Sequence, residues 1–141
     1  MDKIKIIKEQ FAQALWNEQN FEVAHQIFTD NFITESINYN PTTWEEAHGK
    51  GPESMIHHIK GWLEIIPDAA MKIIEANEND DSVIETWELT GTMKGPMMGV
   101  EPTNQKLTIS GSTVSIFEGN KIKINKTLVD VYGLLHQIGA V

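Results

Sequence analysis

The feature that most constrains the fold of this chain is a change of hydrophobic period at Pro67. Before this residue, apolar side chains recur at the spacing of amphipathic helices, and after it they alternate as in strands with one buried face. Helices followed by three or four long strands predict an α+β fold with an antiparallel sheet, not a doubly wound parallel sheet. With 141 residues, we expect a single domain over residues 1–141.

The first half of the chain is expected to supply the helices. The predicted elements are a helix from about Lys3 to Asn17, a shorter helix capped by Asn20, a strand near 32–38, a loop over 41–51 and a helix over 51–66. The last helix begins at Gly51-Pro52-Glu53, where proline suits the first turn and glutamate complements the helix dipole. It ends at Pro67 and is expected to pack against the sheet.

The second half is expected to supply the sheet. The predicted elements are strands over 70–77, 83–94, 106–117 and 122–129, followed by a short terminal helix over 131–138. Gly91 and Gly111 lie inside two of these strands, where glycine weakens a sheet unless the strand bends. A sheet that bends around a helix encloses a cavity, and its mixture of Trp, Met, Thr and Ser suits a semi-polar lining.

The composition of the chain argues against several classes of function. The formal net charge is −9, all basic residues are lysine, and there is no cysteine. An acidic chain without arginine is a poor match for nucleic acid or for anionic membrane surfaces, and disulfides and thiolate chemistry are excluded. No signal peptide or membrane-spanning run is seen, so we expect a cytoplasmic protein. The histidines have no chelating spacing, so neither a metal nor a cofactor is expected.

One carboxylate stands out as a candidate for acid/base chemistry. Asp130 ends an apolar strand and precedes the terminal helix, so it could face a pocket mouth with a raised pKa. The alternative is that Asp130 caps the terminal helix. The residues themselves leave both roles open.

Large apolar side chains supply candidate contacts for a ligand. Trp62 and Trp87 are either core residues or platforms on which a ligand packs. Met93, Met97 and Met98 could form a lid over an apolar ligand, fill a gap in the core, or make a dimer contact.

Several segments together resemble the SnoaL-like polyketide cyclase family, part of the nuclear transport factor 2-like superfamily. The resemblance spans nearly the whole chain in the same order. The matching segments are Asn40-Pro41, Gly51-Pro52-Glu53, Ile65-Ile66-Pro67-Asp68, the strand from Trp87 to Gly95, the loop from Met98 to Thr103, Phe117 to Ile122, and the tail from Asp130 to Gly139.

The resemblance implies a cone-shaped α+β barrel, in which a curved antiparallel sheet is wrapped by N-terminal helices, and a homodimer formed through the open sheet. Family cyclases close a ring by a cofactor-free aldol condensation in which an aspartate and a histidine move protons. This sequence differs at three family positions, since Tyr39 and Met93 stand where the family has histidine and Thr127 stands near a family aspartate.

Two main functions follow. The first is cyclase-type or isomerase-type chemistry on a small hydrophobic carbonyl compound in an internal pocket, with Asp130 as the base and with Tyr39 and Asn40 bonding the developing oxyanion. The expected substrate contacts are Asn40, Trp62, Trp87, Met93 and Thr127. The second is a non-catalytic binding module of the same fold, because the family histidine positions are replaced. A third alternative is an interaction protein whose pocket is filled by its own side chains.

Overall fold

The structure, a computed structural model, describes the backbone of residues 2–39 and 46–141, with side chains described except for 36–39 and 46–48. The helices are α1 (Lys3–Lys5), a π-helix (Ile6–Asn17), α2 (Val23–Ile27), α3 (Pro52–Ile65) and α4 (Val131–Gln137). The strands are β1 (Phe28–Tyr39), β2 (Glu46–Lys50), β3 (Ala70–Glu78), β4 (Ser82–Thr92), β5 (Lys106–Glu118) and β6 (Lys121–Val129). The predicted order of helices before a sheet is therefore confirmed.

The described strands form one six-stranded sheet in the order β2-β1-β6-β5-β4-β3. The neighbouring strands are antiparallel except for β1 and β6, which run parallel. The predicted hairpins of the second half are thus present, and the one parallel pair arises where the early strand β1 enters the sheet beside the last strand. The curved α+β fold that we expected is confirmed.

The prediction differs from the structure most around β1 and β2. β1 begins at Phe28, four residues before the strand that was predicted near 32–38. Phe28 is fully buried and its ring lies 4.3 Å from that of Phe32, so it belongs to the strand that covers the core. The predicted loop over 41–51 is wrong for Glu46–Lys50, which forms β2. The rest of that segment, 40–45, lies outside the described residues.

The first predicted helix has the expected extent, but most of it is a π-helix. Its buried residues come in adjacent pairs about four to five positions apart, which suits the wider turn made by bonds from residue i to residue i+5. They are Ile6, Ile7, Phe11, Ala12, Leu15 and Trp16. The π-helix packs along β3, and α3 packs against β1 and β2. The core lies between these helices and the inner face of the sheet.

The inner and outer faces of the sheet are clearest on β4. Val83, Glu85, Trp87 and Leu89 are buried on the inner face, whereas the residues between them are exposed or half-buried. This alternation is the one that the sequence predicts. The polar member of the inner row, Glu85, is as deeply buried as its apolar neighbours.

The two strand glycines are explained by close approach of a side chain. A Cβ atom at Gly111 would collide with the ring of Trp87, and one at Gly91 would lie 2.8 Å from the Cβ of Ile66. Because glycine has no side chain, these two positions leave room for the Trp87 ring and for Ile66 at the end of α3.

Side-chain amides hold helices to the sheet. The side chain of Asn17 accepts a bond from the backbone N–H of Met71 (2.6 Å) and donates to its carbonyl (3.0 Å). At this residue it forms the two bonds that a neighbouring strand would form with the edge strand β3. Gln137 pairs with both backbone groups of Thr108 in the same way.

Across residues 2–39 and 46–141, no helix is both long and apolar enough to cross a membrane. The cytoplasmic location stays a prediction.

Candidate functional site

A chain of hydrogen-bonded polar side chains crosses the inner face of the sheet. Trp87 on β4 donates its indole N–H to Oγ1 of Thr113 on β5 at 2.9 Å. Oγ1 of Thr113 lies 3.0 Å from Oγ1 of Thr127 on β6, directly across in the strand register. Trp87 and Thr113 are buried and Thr127 is half-buried, so the chain leads from the core to an accessible hydroxyl.

The first bond of this chain has a fixed direction, because an indole N–H only donates and Oγ1 of Thr113 therefore accepts from Trp87. In the second bond either hydroxyl can be the donor. When Thr113 donates to Thr127, the hydroxyl proton of Thr127 is left for another acceptor. Successive bonds polarise one another in a low-dielectric interior, which strengthens the terminal donor. The arrangement is suited to an acceptor oxygen such as that of a carbonyl group.

A second polar group lies beside this chain. Glu85 on β4 is 1% exposed, and its Oε1 receives a bond of 2.7 Å from Ser115 on β5. Oγ of Ser115 is also 2.9 Å from Oδ1 of Asn125 on β6, an oxygen that accepts a hydrogen bond. Ser115 and Asn125 are themselves buried. Three strands thus bring a carboxyl, a hydroxyl and an amide together in the interior.

Burial controls the charge of Glu85. Loss of hydration raises the pKa of this carboxyl to about 8, and the bond from Ser115 opposes the rise only in part. Glu85 is therefore mostly neutral at pH 7. Its Oε2 atom has no hydrogen-bond partner among the described residues and no contact with solvent.

His58 on α3 is a further titratable group with a lowered pKa. Burial, with a smaller contribution from neighbouring His57, lowers the pKa of His58 to about 4. The side chain is only half-buried. It is therefore uncharged at neutral pH, and it can act as a hydrogen-bonding group but not as a cation.

The structure brings two of the predicted site residues together and places two more in the core. Trp87 and Thr127 are joined through Thr113. Trp62 on α3 is 8% exposed and belongs to the same hydrophobic core. Met93 is fully buried, and its sulfur receives a 3.5 Å contact from the hydroxyl of Thr103. Their roles in ligand binding stay predictions.

The remaining predicted residues lie elsewhere or are not described. Tyr39 is the last residue of β1, and its side chain is outside the description; Asn40 is outside it altogether. Asp130 is exposed and caps α4, accepting a bond of 2.9 Å from the backbone N–H of Gly133. The capping alternative is thus confirmed, and the catalytic role of Asp130 stays a prediction.

Sequence reasoning missed four of the polar residues: Glu85, Thr113, Ser115 and Asn125. The signal was available, because Glu85 shares the alternating phase of Val83 and Trp87, and a charged residue in a buried phase is unusual.

Of the two methionines in the loop after β4, Met97 belongs to the core and Met98 does not. Met97 is 1% exposed, which matches the gap-filling alternative, and Met98 is half-buried with a positive φ of 53°. The backbone N–H groups of Lys94 and Gly95 bond to the carbonyl of Ile65 and cap the end of α3.

A groove of about 760 Å³ lies on the outer face of the sheet. Its rim includes Ile74, Leu128 and Tyr132, which are 44%, 47% and 71% exposed, and its lining includes the carboxylates of Glu88 and Asp130. Its lining also includes Trp87, the first residue of the polar chain. Within the described residues, no group of three or more His, Asp or Glu side chains is arranged to hold a metal ion.

Fold and site together define an α+β protein with a sparsely polar interior beneath a curved sheet. The family model for SnoaL-like polyketide cyclases matches residues 7–138, and the chain belongs to this family.

Solved structures share the fold at low sequence identity. A candidate polyketide cyclase from Acidithiobacillus ferrooxidans is 24% identical, with a TM-score of 0.79 over 99% of this chain and 96% of that one. IdmH, a candidate polyketide cyclase from Streptomyces antibioticus, is 17% identical, with a TM-score of 0.79 over 98% and 96%. A protein of ketosteroid isomerase-like fold from Catenulispora acidiphila, solved with trimethylamine, is 17% identical, with a TM-score of 0.73 over 92% and 89%. No curated protein is similar enough in sequence to match.

Proposed function

We propose that the interior between the helices and the sheet binds a small hydrophobic carbonyl compound, and that the chain performs cyclase-type acid/base chemistry on it without a cofactor. The observation that carries this proposal is the chain from Trp87 through Thr113 to Thr127, which places polar groups of three strands in a row from the buried core to the half-buried Thr127. Membership of the cyclase family supports the same class of substrate.

Such a site has to stabilise negative charge on one oxygen atom of the substrate. Loss of a proton from the carbon beside a carbonyl places negative charge on the carbonyl oxygen, and a fixed donor near that oxygen lowers the barrier. An apolar interior strengthens the interaction because it excludes water. Thr127 is the proposed donor, with Trp62 and Trp87 as apolar contacts for the body of the substrate.

Exchange of hydrogen for deuterium tests the proposal without knowledge of the natural substrate. The probe is 1-tetralone, a bicyclic aryl ketone, incubated in D₂O and followed by NMR at the carbon beside the carbonyl. We expect the protein to accelerate exchange, and Thr127→Val to reduce the rate by roughly 100-fold, as loss of one oxyanion donor does. Thr108→Val, on the exposed outer face of β5, is the matched control and should leave the rate unchanged.

Equal rates for the wild type and Thr127→Val would contradict the role of Thr127. The same assay tests Asp130, since Asp130→Asn keeps a capping side chain but removes the carboxylate. Loss of exchange in that variant would support the predicted base, whereas an unchanged rate would leave Asp130 with the cap alone.

A second function, binding without conversion, is favoured by Met93. Its buried thioether has no proton to transfer at a position where the family has histidine. A binding module would show a rise in Tm with 1-tetralone, because a ligand bound only by the native state stabilises it, and no deuterium exchange. The family and the polar chain are compatible with both functions, and exchange separates them.

We also propose a homodimer through the outer face of the sheet. Ile74, Ile84, Leu128 and Tyr132 expose apolar surface there, which is the surface that an interface would cover. Leu128→Lys should shift the mass in sedimentation from dimer to monomer, whereas Val141→Lys at the exposed chain end should not. The protein is studied at about 100 µM, a concentration on the order of the Kd of a weak dimer. A wild type that sediments only as a monomer at this concentration would contradict the dimer.

A further inference from the structure

The side chain of Trp87 is held at two points along β5. Its indole N–H bonds to Oγ1 of Thr113 at 2.9 Å, and its six-membered ring lies where Gly111 would carry a side chain. Gly111 and Thr113 are two residues apart and therefore lie on the same face of β5, and Gly111 is directly across from Trp87 in the strand register. The indole consequently lies along β5, with its N–H toward Thr113 and its second ring over Gly111.

The fit between this ring and Gly111 leaves no room for a side chain. A Cβ atom at Gly111 would collide with Cζ2 of Trp87, and it would lie 2.7 Å from Cη2 of the same ring and 2.7 Å from the carbonyl oxygen of Leu128 on β6. Gly111 is not among the glycines with a positive φ, so the backbone conformation does not require glycine here. Glycine inside a strand weakens the sheet, and at this position the close approach of the ring is the reason for it.

The surroundings of Trp87 determine where the ring would go if Gly111 carried a side chain. The ring is buried between β5 and the core. A methyl group on β5 would therefore push the ring away from the strand and toward the helices. That movement would break the bond to Thr113 and would fill space between the sheet and the helices.

We propose that Gly111 is a positioning residue: by keeping the Trp87 ring down on β5, it maintains the polar chain to Thr127 and leaves room in the interior for a bicyclic substrate. The inference rests on the interior site of the proposed function and names the residue that sets the size of the molecule accepted there. Gly111 acts through Trp87 and moves no proton.

The first measurement reports the position of the ring. The chain has four tryptophans, and the indole N–H signal of Trp87 in a nitrogen–proton correlation NMR spectrum is the one that Trp87→Phe removes. A buried and bonded N–H exchanges slowly with solvent. We expect Gly111→Ala to shift this signal and to increase its exchange rate, because the bond to Thr113 is lost.

The second measurement reports the size of ketone that the protein accepts. The probes are 1-tetralone, which has two fused rings, and cyclohexanone, which has one, and the Kd values come from NMR titrations of the ligand signals. Gly111→Ala should raise the Kd of 1-tetralone by roughly tenfold, as for a group that no longer fits an apolar pocket, and should leave the Kd of cyclohexanone unchanged. A general loss of stability would not change this ratio.

Two further variants separate the effect of the ring from the effect of the strand. Gly91→Ala is the matched control, since Gly91 is also a buried strand glycine, but a Cβ atom there would lie 2.8 Å from the Cβ of Ile66 instead of close to Trp87. It should lower the Tm and leave the Trp87 signal and the ratio of Kd values unchanged. Adding Trp87→Phe to Gly111→Ala should restore the binding of 1-tetralone, because phenylalanine lacks the second ring that collides.

A folded Gly111→Ala that keeps the wild-type signal of Trp87, or the wild-type ratio of Kd values, would overturn the inference. If Gly111→Ala does not fold by circular dichroism, the double variant decides. Recovery of the fold by Trp87→Phe would support the role of the ring, whereas an unfolded double variant would assign the collision to the backbone of Leu128 and overturn it. Deuterium exchange is a separate outcome, since its absence with an intact size effect would contradict the proposed chemistry alone.

Discussion

At the scale of single residues, Glu85 is the costliest feature of the interior. A neutral carboxyl with one unpaired oxygen is less stable in a core than an apolar side chain of similar size. The surrounding strands supply Ser115 but no cation. A residue that lowers stability and is held in place by its neighbours is a candidate for function.

This cost gives a pH dependence of stability with a definite sign. The pKa of Glu85 rises from 4.5 in the unfolded reference to about 8 in the folded chain. Below pH 4.5 both states are protonated. Between pH 4.5 and 8 only the unfolded state releases the proton, so stability falls as pH rises, by about 1.4 kcal/mol per pH unit. Above pH 8 the loss is complete.

Glu85→Gln removes this titration and keeps the shape of the side chain. The free energy of unfolding in urea is measured for both proteins. The value for Glu85→Gln minus that for the wild type is expected to increase as pH rises from 4.5 to 8 and then to stay constant. Glu88→Gln is the control for the loss of one negative charge. A difference between Glu85→Gln and the wild type that stays constant across this range would show that the carboxyl is not held neutral.

Part of the residue-scale site could be predicted from the sequence. Trp87 and Thr127 were predicted as ligand contacts, and the structure joins them through Thr113. Glu85 was not predicted, because alternation along β4 shows which face a residue lies on but not how completely the helices cover that face. The hydrogen bonds of Ser115 depend on the register of three strands, which one sequence does not specify.

At the scale of elements, strong local signals gave correct predictions and competing signals did not. Gly51-Pro52 starts α3 as predicted, with a positive φ of 76° at Gly51 that favours glycine. The predicted strands over 106–117 and 122–129 form β5 and β6, and Gly119 in the turn between them has a positive φ of 60°. β2 was missed because its five residues have little apolar alternation.

The difference at the π-helix has a physical reason. Its wide turn was not predicted because Ile7, Phe11 and Leu15 are spaced four residues apart, which also fits the period of an α-helix. At its end, Asn17 binds both backbone groups of Met71 and so covers the otherwise open edge of β3. An edge protected in this way is less prone to pair with another chain.

At the scale of the whole molecule, fold and chemistry are separable. The order of helices and strands and the spaced family segments were enough to predict the fold, which solved structures at 24% identity or less share. The resemblance places Met93, whose thioether has no proton to transfer, where the family has histidine. The same scaffold can therefore hold a different set of polar groups, and function must be argued from those groups.

The most direct test of the account is a crystal structure of the protein with 1-tetralone bound. The account predicts that the ketone lies between the helices and the inner face of the sheet. Its carbonyl oxygen should lie about 3 Å from Oγ1 of Thr127. A ketone found only in the groove on the outer face, beside Leu128 and Tyr132, would contradict it.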